Sequence, residues 1–142
     1  MKNFRLHILA VFILVAGMTI STSAQDKMMS QEAMMADAKK PVVAIIRADW
    51  CPYCTELEPK MTLLMQEYGD RLNFIILDIT NRETAENAKT KAKAAGLASF
   101  FDSNKTKAST VAIFKGKKQI FSTIHNSDGD DLAKAFAKAV GR

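Results

Sequence analysis

Hydrophobic residues along the chain form patterns of two kinds, and together they predict alternating strands and helices. Val42 to Ile46 and Leu72 to Ile79 are continuous apolar runs rich in β-branched residues, as expected for buried strands. Between them, Cys51 to Tyr68 is predicted to be a helix. Its apolar positions recur at helical spacing on one face, at Leu57, Met61, Leu64 and Tyr68. Two strands joined by one helix should run parallel through a right-handed crossover.

The second half of the chain begins with a predicted helix and an irregular segment. Thr80 to Glu83 has the spacing of a capping box and opens a helix that stops at Gly96. This helix carries a narrow stripe of alanines that allows close packing, at Ala85, Ala88, Ala92 and Ala95. Leu97 to Ala108 is predicted to be irregular, with Phe100 and Phe101 packing it onto the domain.

A hairpin and a last helix complete the pattern. Thr110 to Phe114 and Lys118 to Ile124 read as strands joined by a tight turn around Gly116. Ser127 or Asp128 caps a final helix, which turns Leu132, Phe136 and Val140 inward. Since a hairpin is added to a parallel pair, the sheet must be mixed, and the predicted fold class is α/β.

The N-terminus has the three parts of a secretory signal. Met1 to Arg5 is positive, Leu6 to Ile20 is almost wholly apolar, and Thr22 to Ala24 places small residues where a signal peptidase reads. We expect cleavage after Ala24, which places the mature protein in the periplasm or outside the cell. An uncleaved anchor is the alternative, although the apolar run is shorter than the roughly 20 residues that span a bilayer.

The predicted cleavage site and the start of the first strand divide the chain into three segments. Residues 1–24 are the predicted signal peptide, 25–40 a polar, methionine-rich helix or tail, and 41–142 the folded domain. The chain of 142 residues, 48% of them hydrophobic, allows one packed domain. Its net charge of +5 is spread among lysines and acids with no basic run interleaved with aromatic residues, so nucleic-acid binding is not expected.

The two cysteines, Cys51 and Cys54, carry the candidate chemistry. They form one C-x-x-C where a strand meets a helix, and Pro52 suits the first helical turn. Free helix N–H groups and the helix dipole favour the thiolate of Cys51. Cys54 lies one turn further on and continues the inward stripe. The spacing therefore predicts an exposed, ionised Cys51 that attacks and a buried, protonated Cys54 that resolves.

Other uses of the pair are less well supported by the residues present. A structural zinc site usually needs four ligands, and His7 and His125 are far from the cysteines in sequence. A structural disulfide closing so short a loop would stabilise the fold little. We therefore expect no metal and no bound cofactor. Two alternatives remain: a redox-inactive interaction domain, or a copper module that adds the N-terminal methionines Met28, Met29, Met34 and Met35.

The segment Trp50-Cys51-Pro52-Tyr53-Cys54 resembles the active site of the thioredoxin superfamily. Pro59 matches the proline that kinks the active-site helix in that family, and the element order agrees from about Pro41 to Val140. The resemblance implies a thioredoxin fold, with four or five strands flanked by helices. It also implies an enzyme, a thiol–disulfide oxidoreductase that exchanges disulfides with exported proteins and with a membrane or soluble thiol donor or acceptor. We expect it to act as a monomer.

The resemblance also assigns a substrate-binding surface, made of Trp50, Pro52, Tyr53, Ala108 and Ser109. Ser109 stands where the family has a cis-proline, and Ala108 would offer its backbone to the substrate. We expect the bond between them to be trans, because a cis bond before serine costs about 3–4 kcal/mol. We also expect the loop to be displaced relative to thioredoxins, which would allow the Ser109 hydroxyl to reach a cysteine sulfur. If the position is equivalent, Ser109→Pro should preserve the fold.

The chain departs from the family at two further positions. The buried aspartate and the lysine that accompany the cysteines in thioredoxins are replaced by Ile45 and Ile76. Both charges are lost together, so the core stays satisfied. Removal of the proton from Cys54 is therefore expected to differ from that in thioredoxins.

Overall fold

The computed structural model describes residues 40–142, and its elements follow the predicted order of strands and helices. They are β1 (Val42–Arg47), α1 (Pro52–Tyr68), β2 (Asn73–Asp78), α2 (Arg82–Ala94), α3 (Ala98–Asn104), β3 (Thr110–Lys115), β4 (Lys118–Ile124) and α4 (Gly129–Ala139). The predicted signal segment and the methionine-rich segment up to residue 39 lie outside the described residues. No helix within 40–142 is both long and apolar enough to cross a membrane.

The four strands form one mixed sheet in the order β2-β1-β3-β4. β1 pairs parallel with β2 and antiparallel with β3, and β3 and β4 form the hairpin. The parallel crossover, the hairpin and the turn at Gly116, whose φ is 58°, are as predicted. The chain thus has the thioredoxin fold, with four strands and four helices in the part that the structure describes.

The sheet buries side chains on both faces, because successive residues of β1 point in opposite directions. Val43 and Ile45 pack with residues of α1 and α4. Ala44 and Ile46 pack on the other face with residues of α2 and α3. Three of these four side chains have no exposed surface, which explains the continuous apolar run of β1.

The segment predicted to be irregular, Leu97 to Ala108, contains the helix α3, so that prediction was wrong. Phe100 and Phe101 are buried on this helix as expected, and the ring of Phe100 meets Phe114 edge-on at 5.3 Å. Seven residues are too few for a helix to be stable on local propensity alone. Burial of two aromatic rings stabilises α3, and the sequence pattern does not reveal that tertiary contact.

The cap of α2 also differs from the prediction by one residue. Asn81, not Thr80, is the N-cap, and its side chain accepts from the Thr84 N–H at 3.0 Å while the Thr84 hydroxyl accepts from the Asn81 N–H. Thr80 does not cap the helix, because its hydroxyl accepts a hydrogen bond from the Asp49 N–H at 3.0 Å. This hydrogen bond connects the start of α2 to the loop before Cys51.

An Asn81→Ala variant is expected to lower the free energy of unfolding by about 0.5–2 kcal/mol, since the Thr84 N–H loses its acceptor. Urea unfolding measures the change. Asn87→Ala is the matched control, because Asn87 is exposed in the middle of the same helix and alanine is the better helix former there. Equal stability of the Asn81 variant and the wild type would contradict the assigned cap.

Candidate active site around Cys51 and Cys54

Cys51 is the N-cap of α1 and Pro52 is its first residue, as the sequence predicted. The Cys51 N–H donates to the Ala48 carbonyl at 3.1 Å, which closes the turn that follows β1. The Cys51 carbonyl accepts from the N–H groups of Cys54 and Thr55 at 3.1 and 3.3 Å. No side chain caps the helix, so its positive end is left to the Cys51 sulfur.

The exposure of the two cysteines is the reverse of the prediction. Cys51 is only 4% exposed, whereas Cys54 is half-buried. Cys51 belongs to the core cluster that also contains the small buried side chains of Ala48 and Ala108. Cys54 turns toward the core as expected, but it borders a cavity there and keeps part of its surface.

The protonation expected for Cys54 agrees with its surroundings. Burial raises the pKa of the Cys54 thiol, and a hydrogen bond with the Cys51 side chain raises it further. Backbone contacts with Ala48 and Ser109 favour the thiolate but do not outweigh these effects. Cys54 therefore holds its proton at neutral pH, within hydrogen-bonding reach of Cys51.

Ser109 lies in the loop that faces Cys54, and its backbone is fixed on both sides. Its N–H donates to the Ile46 carbonyl at 2.8 Å and its carbonyl accepts from the His125 N–H at 3.1 Å. The Ala108–Ser109 bond is trans as predicted, and Ser109 has a left-handed φ of 63°. Contrary to expectation, the Ser109 hydroxyl bonds no sulfur; it is buried and without a hydrogen-bond partner.

The aromatic residues beside the cysteines are on the surface. Trp50 is 61% exposed, and its indole N–H donates to the Thr80 carbonyl at 3.2 Å. Tyr53 is 42% exposed and stacks on the ring of His125, with centroids 4.7 Å apart and planes at 16°. His125 is far from the cysteines in sequence, so its place beside Tyr53 was not predicted. The only available signal was its position just after the last strand, because β4 ends at the same edge of the sheet as β1.

A cavity of about 130 Å³ lies between α1 and the β1–β2 part of the sheet, and Cys54 and Ser109 border it. Its apolar lining includes Ile45 and Ile76, which are partners in the β1–β2 register. Ile76 is 40% exposed, so α1 does not fully cover this part of the sheet. The two isoleucines leave apolar surface where the family resemblance expects a pair of charges.

Charged residues do occur on the same face of the sheet, two residues further along each strand, where Arg47 and Asp78 are partners. Their side chains form an ion pair at 2.6 Å, and Arg47 also binds Asp49 at 2.5 Å. Partial burial opposes ionisation of Asp78, but hydrogen bonds from Thr80 and the charge of Arg47 outweigh it and hold the pKa of Asp78 below its usual value. Of these three charged residues, Arg47 borders the cavity.

Within residues 40–142, no three histidine, cysteine or acidic side chains converge as a metal site would require. The methionines of the copper hypothesis lie outside that range. The two cysteines, by contrast, are placed for two-electron chemistry, since one sulfur faces a helix N-terminus and the other holds a proton beside it.

A family model described as thioredoxin matches residues 22–126, which is more than half of the chain. Among curated proteins, the thioredoxin-like protein HCF164 of rice chloroplasts is 45% identical over 42 residues, covering 30% of this chain and 16% of the relative. The thiol:disulfide interchange protein TxlA of Synechococcus elongatus is 38% identical over 42 residues, or 30% and 22% of the two chains. The matches therefore span less than a quarter of these relatives.

Solved structures of thioredoxins share the fold at low sequence identity. The thioredoxin Deadhead of the fruit fly Drosophila aligns with a TM-score of 0.54 at 18% identity, over 78% of this chain and 92% of its own. Oxidised thioredoxin O2 of Arabidopsis thaliana aligns with a TM-score of 0.53 at 19% identity, over 79% and 88%.

Proposed function

The chain belongs to the thioredoxin family, and we propose that it is a thiol–disulfide oxidoreductase with Cys51 as attacking thiol and Cys54 as resolving thiol. The observation that carries this proposal is the asymmetry of the pair: Cys51 occupies the N-cap position of α1, while burial and a hydrogen bond with the Cys51 side chain raise the pKa of Cys54. A helix N-terminus favours an anion, so it is Cys51 that is equipped to become the thiolate.

Reduction of a partner takes two exchanges. The Cys51 thiolate attacks one sulfur of the partner disulfide, which breaks that bond, forms a mixed disulfide and releases the other partner sulfur as a thiolate. Cys54 then loses its proton and attacks the Cys51 sulfur. The Cys51–Cys54 disulfide forms, the second partner thiolate leaves, and two electrons have passed to the partner. The same steps in reverse oxidise a partner dithiol.

Protein partners would dock around the exposed aromatic side chains of Trp50 and Tyr53, with Pro52 between the cysteines. Aromatic side chains that are apolar in the body and polar at one end suit such contacts. Ala108 and Ser109 are buried behind this surface. Ala108 would offer its backbone to an extended substrate, whereas the N–H and carbonyl of Ser109 are already bonded to Ile46 and His125.

We assign these partners to the periplasm or the cell exterior, because residues 1–24 read as a cleaved signal. Disulfides persist in such compartments. The relative TxlA is named a thiol:disulfide interchange protein, which agrees with this role. A membrane or soluble thiol system would restore the pair after each cycle, and the chain would act as a monomer without a cofactor.

The pair is expected to behave as one reversible two-electron couple with a potential above that of thioredoxin, which is about −270 mV. In general, a helix N-terminus beside a cysteine pair favours its reduced form, and a more stable reduced form makes the disulfide more oxidising. Equilibration of the 25–142 protein in glutathione buffers, followed by alkylation and mass determination, measures the potential. A pair that never closes would disprove the proposed function. A reversible couple at or below about −270 mV would disprove only the claim that the helix N-terminus raises the potential above that of thioredoxin.

A further inference from the structure

The resolving step needs a group that accepts the proton of Cys54. Burial and the hydrogen bond with Cys51 both raise the pKa of this thiol, so at neutral pH it does not supply a thiolate by itself. Cys54 faces the cavity between α1 and β1–β2 on its other side. The groups that line this cavity are therefore the candidates for accepting the proton of Cys54.

Glu58 is the one carboxylate among the cavity-lining residues. It lies on α1 four residues after Cys54, and side chains at this spacing are neighbours on one helix face, about 5–6 Å apart at Cβ. It is exposed to solvent, and none of the ion pairs or hydrogen bonds described for residues 40–142 occupies its carboxylate. A proton taken up by Glu58 can therefore pass on to bulk water.

The other charged groups near the cavity already form ion pairs and hydrogen bonds with each other or with Thr80. Arg47, on β1, borders the cavity as a cation and binds Asp49 and Asp78. Asp78, on β2, is held in its ionised form by Thr80 and Arg47, which makes it a weak proton acceptor. The facing positions Ile45 and Ile76 carry no titratable group.

The buried hydroxyl of Ser109 supplies a second, independent observation. It is 2% exposed, has no hydrogen-bond partner in the protein, and borders the same cavity as Cys54 and Glu58. Buried polar groups of native proteins almost always have a partner, often an ordered water. A cavity of about 130 Å³ has room for more than one water molecule.

We propose that Glu58 accepts the proton of Cys54 during the resolving step, through a water that the Ser109 hydroxyl positions in the cavity. The proton passes from the Cys54 sulfur to this water and from the water to the Glu58 carboxylate. The freed electron pair forms the Cys51–Cys54 bond, the bond between Cys51 and the partner breaks, and the partner leaves as a thiolate. Glu58 returns the proton to solvent. This inference rests on the proposed function of the cysteine pair.

The test uses dithiobis(nitrobenzoate), an aromatic disulfide that releases one coloured thiolate when Cys51 attacks and a second when Cys54 resolves. Stopped-flow mixing with the reduced protein separates the two phases. Glu58→Gln should slow the second phase at least about tenfold at pH 7 and leave the first unchanged. The difference should shrink as pH rises and Cys54 ionises without help. Glu58→Asp should recover part of the rate.

Glu56→Gln is the matched control, because Glu56 is exposed on the same helix and does not line the cavity. Second-phase rates that are equal for the two Gln variants at every pH would overturn the role of Glu58, while the first phase would still support the pair. Wild-type protein that lacks a second phase would overturn the proposed function itself. Ser109→Gly keeps the left-handed backbone and should also slow the second phase. Resolution at the wild-type rate would remove Ser109 from the proposal.

Discussion

A Cys51→Ser variant is expected to lose all catalysed reduction of insulin by dithiothreitol, down to the rate of dithiothreitol alone. Serine is nearly isosteric with cysteine but forms no disulfide, so the first exchange cannot occur. Because Cys51 is only 4% exposed, a serine hydroxyl that finds no hydrogen-bond partner there would lower the free energy of unfolding by about 1–3 kcal/mol. Circular dichroism and urea unfolding therefore accompany the assay.

The matched control for this variant is Thr55→Ser, which alters an exposed hydroxyl-bearing residue one helical turn after Cys51. It should keep wild-type turnover, because Thr55 carries no sulfur and serine keeps both the N–H and the hydroxyl that donate to the Cys51 carbonyl, at 3.3 and 3.5 Å. Catalysis that survives in a folded Cys51→Ser protein would show that Cys54 attacks partners directly and would invert the roles assigned here.

A Ser109→Pro variant is expected to lose about 3 kcal/mol or more of unfolding free energy. Proline fixes φ near −65°, whereas Ser109 has a φ of 63°. Proline also lacks the N–H that donates to the Ile46 carbonyl at 2.8 Å. The sequence-based expectation that proline would preserve the fold here is thus opposed by the backbone. Urea unfolding of this variant beside the wild type measures the loss.

Ser109→Gly is the control for backbone strain. Glycine adopts positive φ readily and keeps the N–H, so this variant should be as stable as the wild type or slightly more stable. If Ser109→Pro unfolds at the same urea concentration as Ser109→Gly, the loop conformation described for residues 108–110 is not the one in solution.

Patterns that depend on one element were predictable from the sequence. The apolar run of β1 and the spacing of Cys51 and Cys54 indicated a buried strand that leads into a helix with a cysteine at its cap. The parallel pairing followed from the connection, since one helix joins β1 and β2. These local signals were sufficient for the fold class and for the candidate cysteines.

Features that depend on packing between elements were not predictable. The helical stripe placed Cys54 inward, but it did not show that Ile76 stays partly exposed and leaves a cavity beside the thiol. Ala108 is far in sequence from Ala48 and Cys51 but shares one core cluster with them, which only the folded sheet brings together. The same holds for His125, which reaches Tyr53 only once β3 and β4 have paired.

The central claim is that Cys51 attacks, although Cys54 has the larger exposed surface. The most direct measurement is to react each single-cysteine variant with the same disulfide-containing protein at pH 7 and to identify the linked cysteine by peptide mass spectrometry. Cys54→Ser should accumulate a mixed disulfide at Cys51, since no second thiol releases the partner, and Cys51→Ser should accumulate little or none. Faster trapping at Cys54 than at Cys51 would contradict the account, because exposure rather than the helix N-terminus would then decide which sulfur reacts.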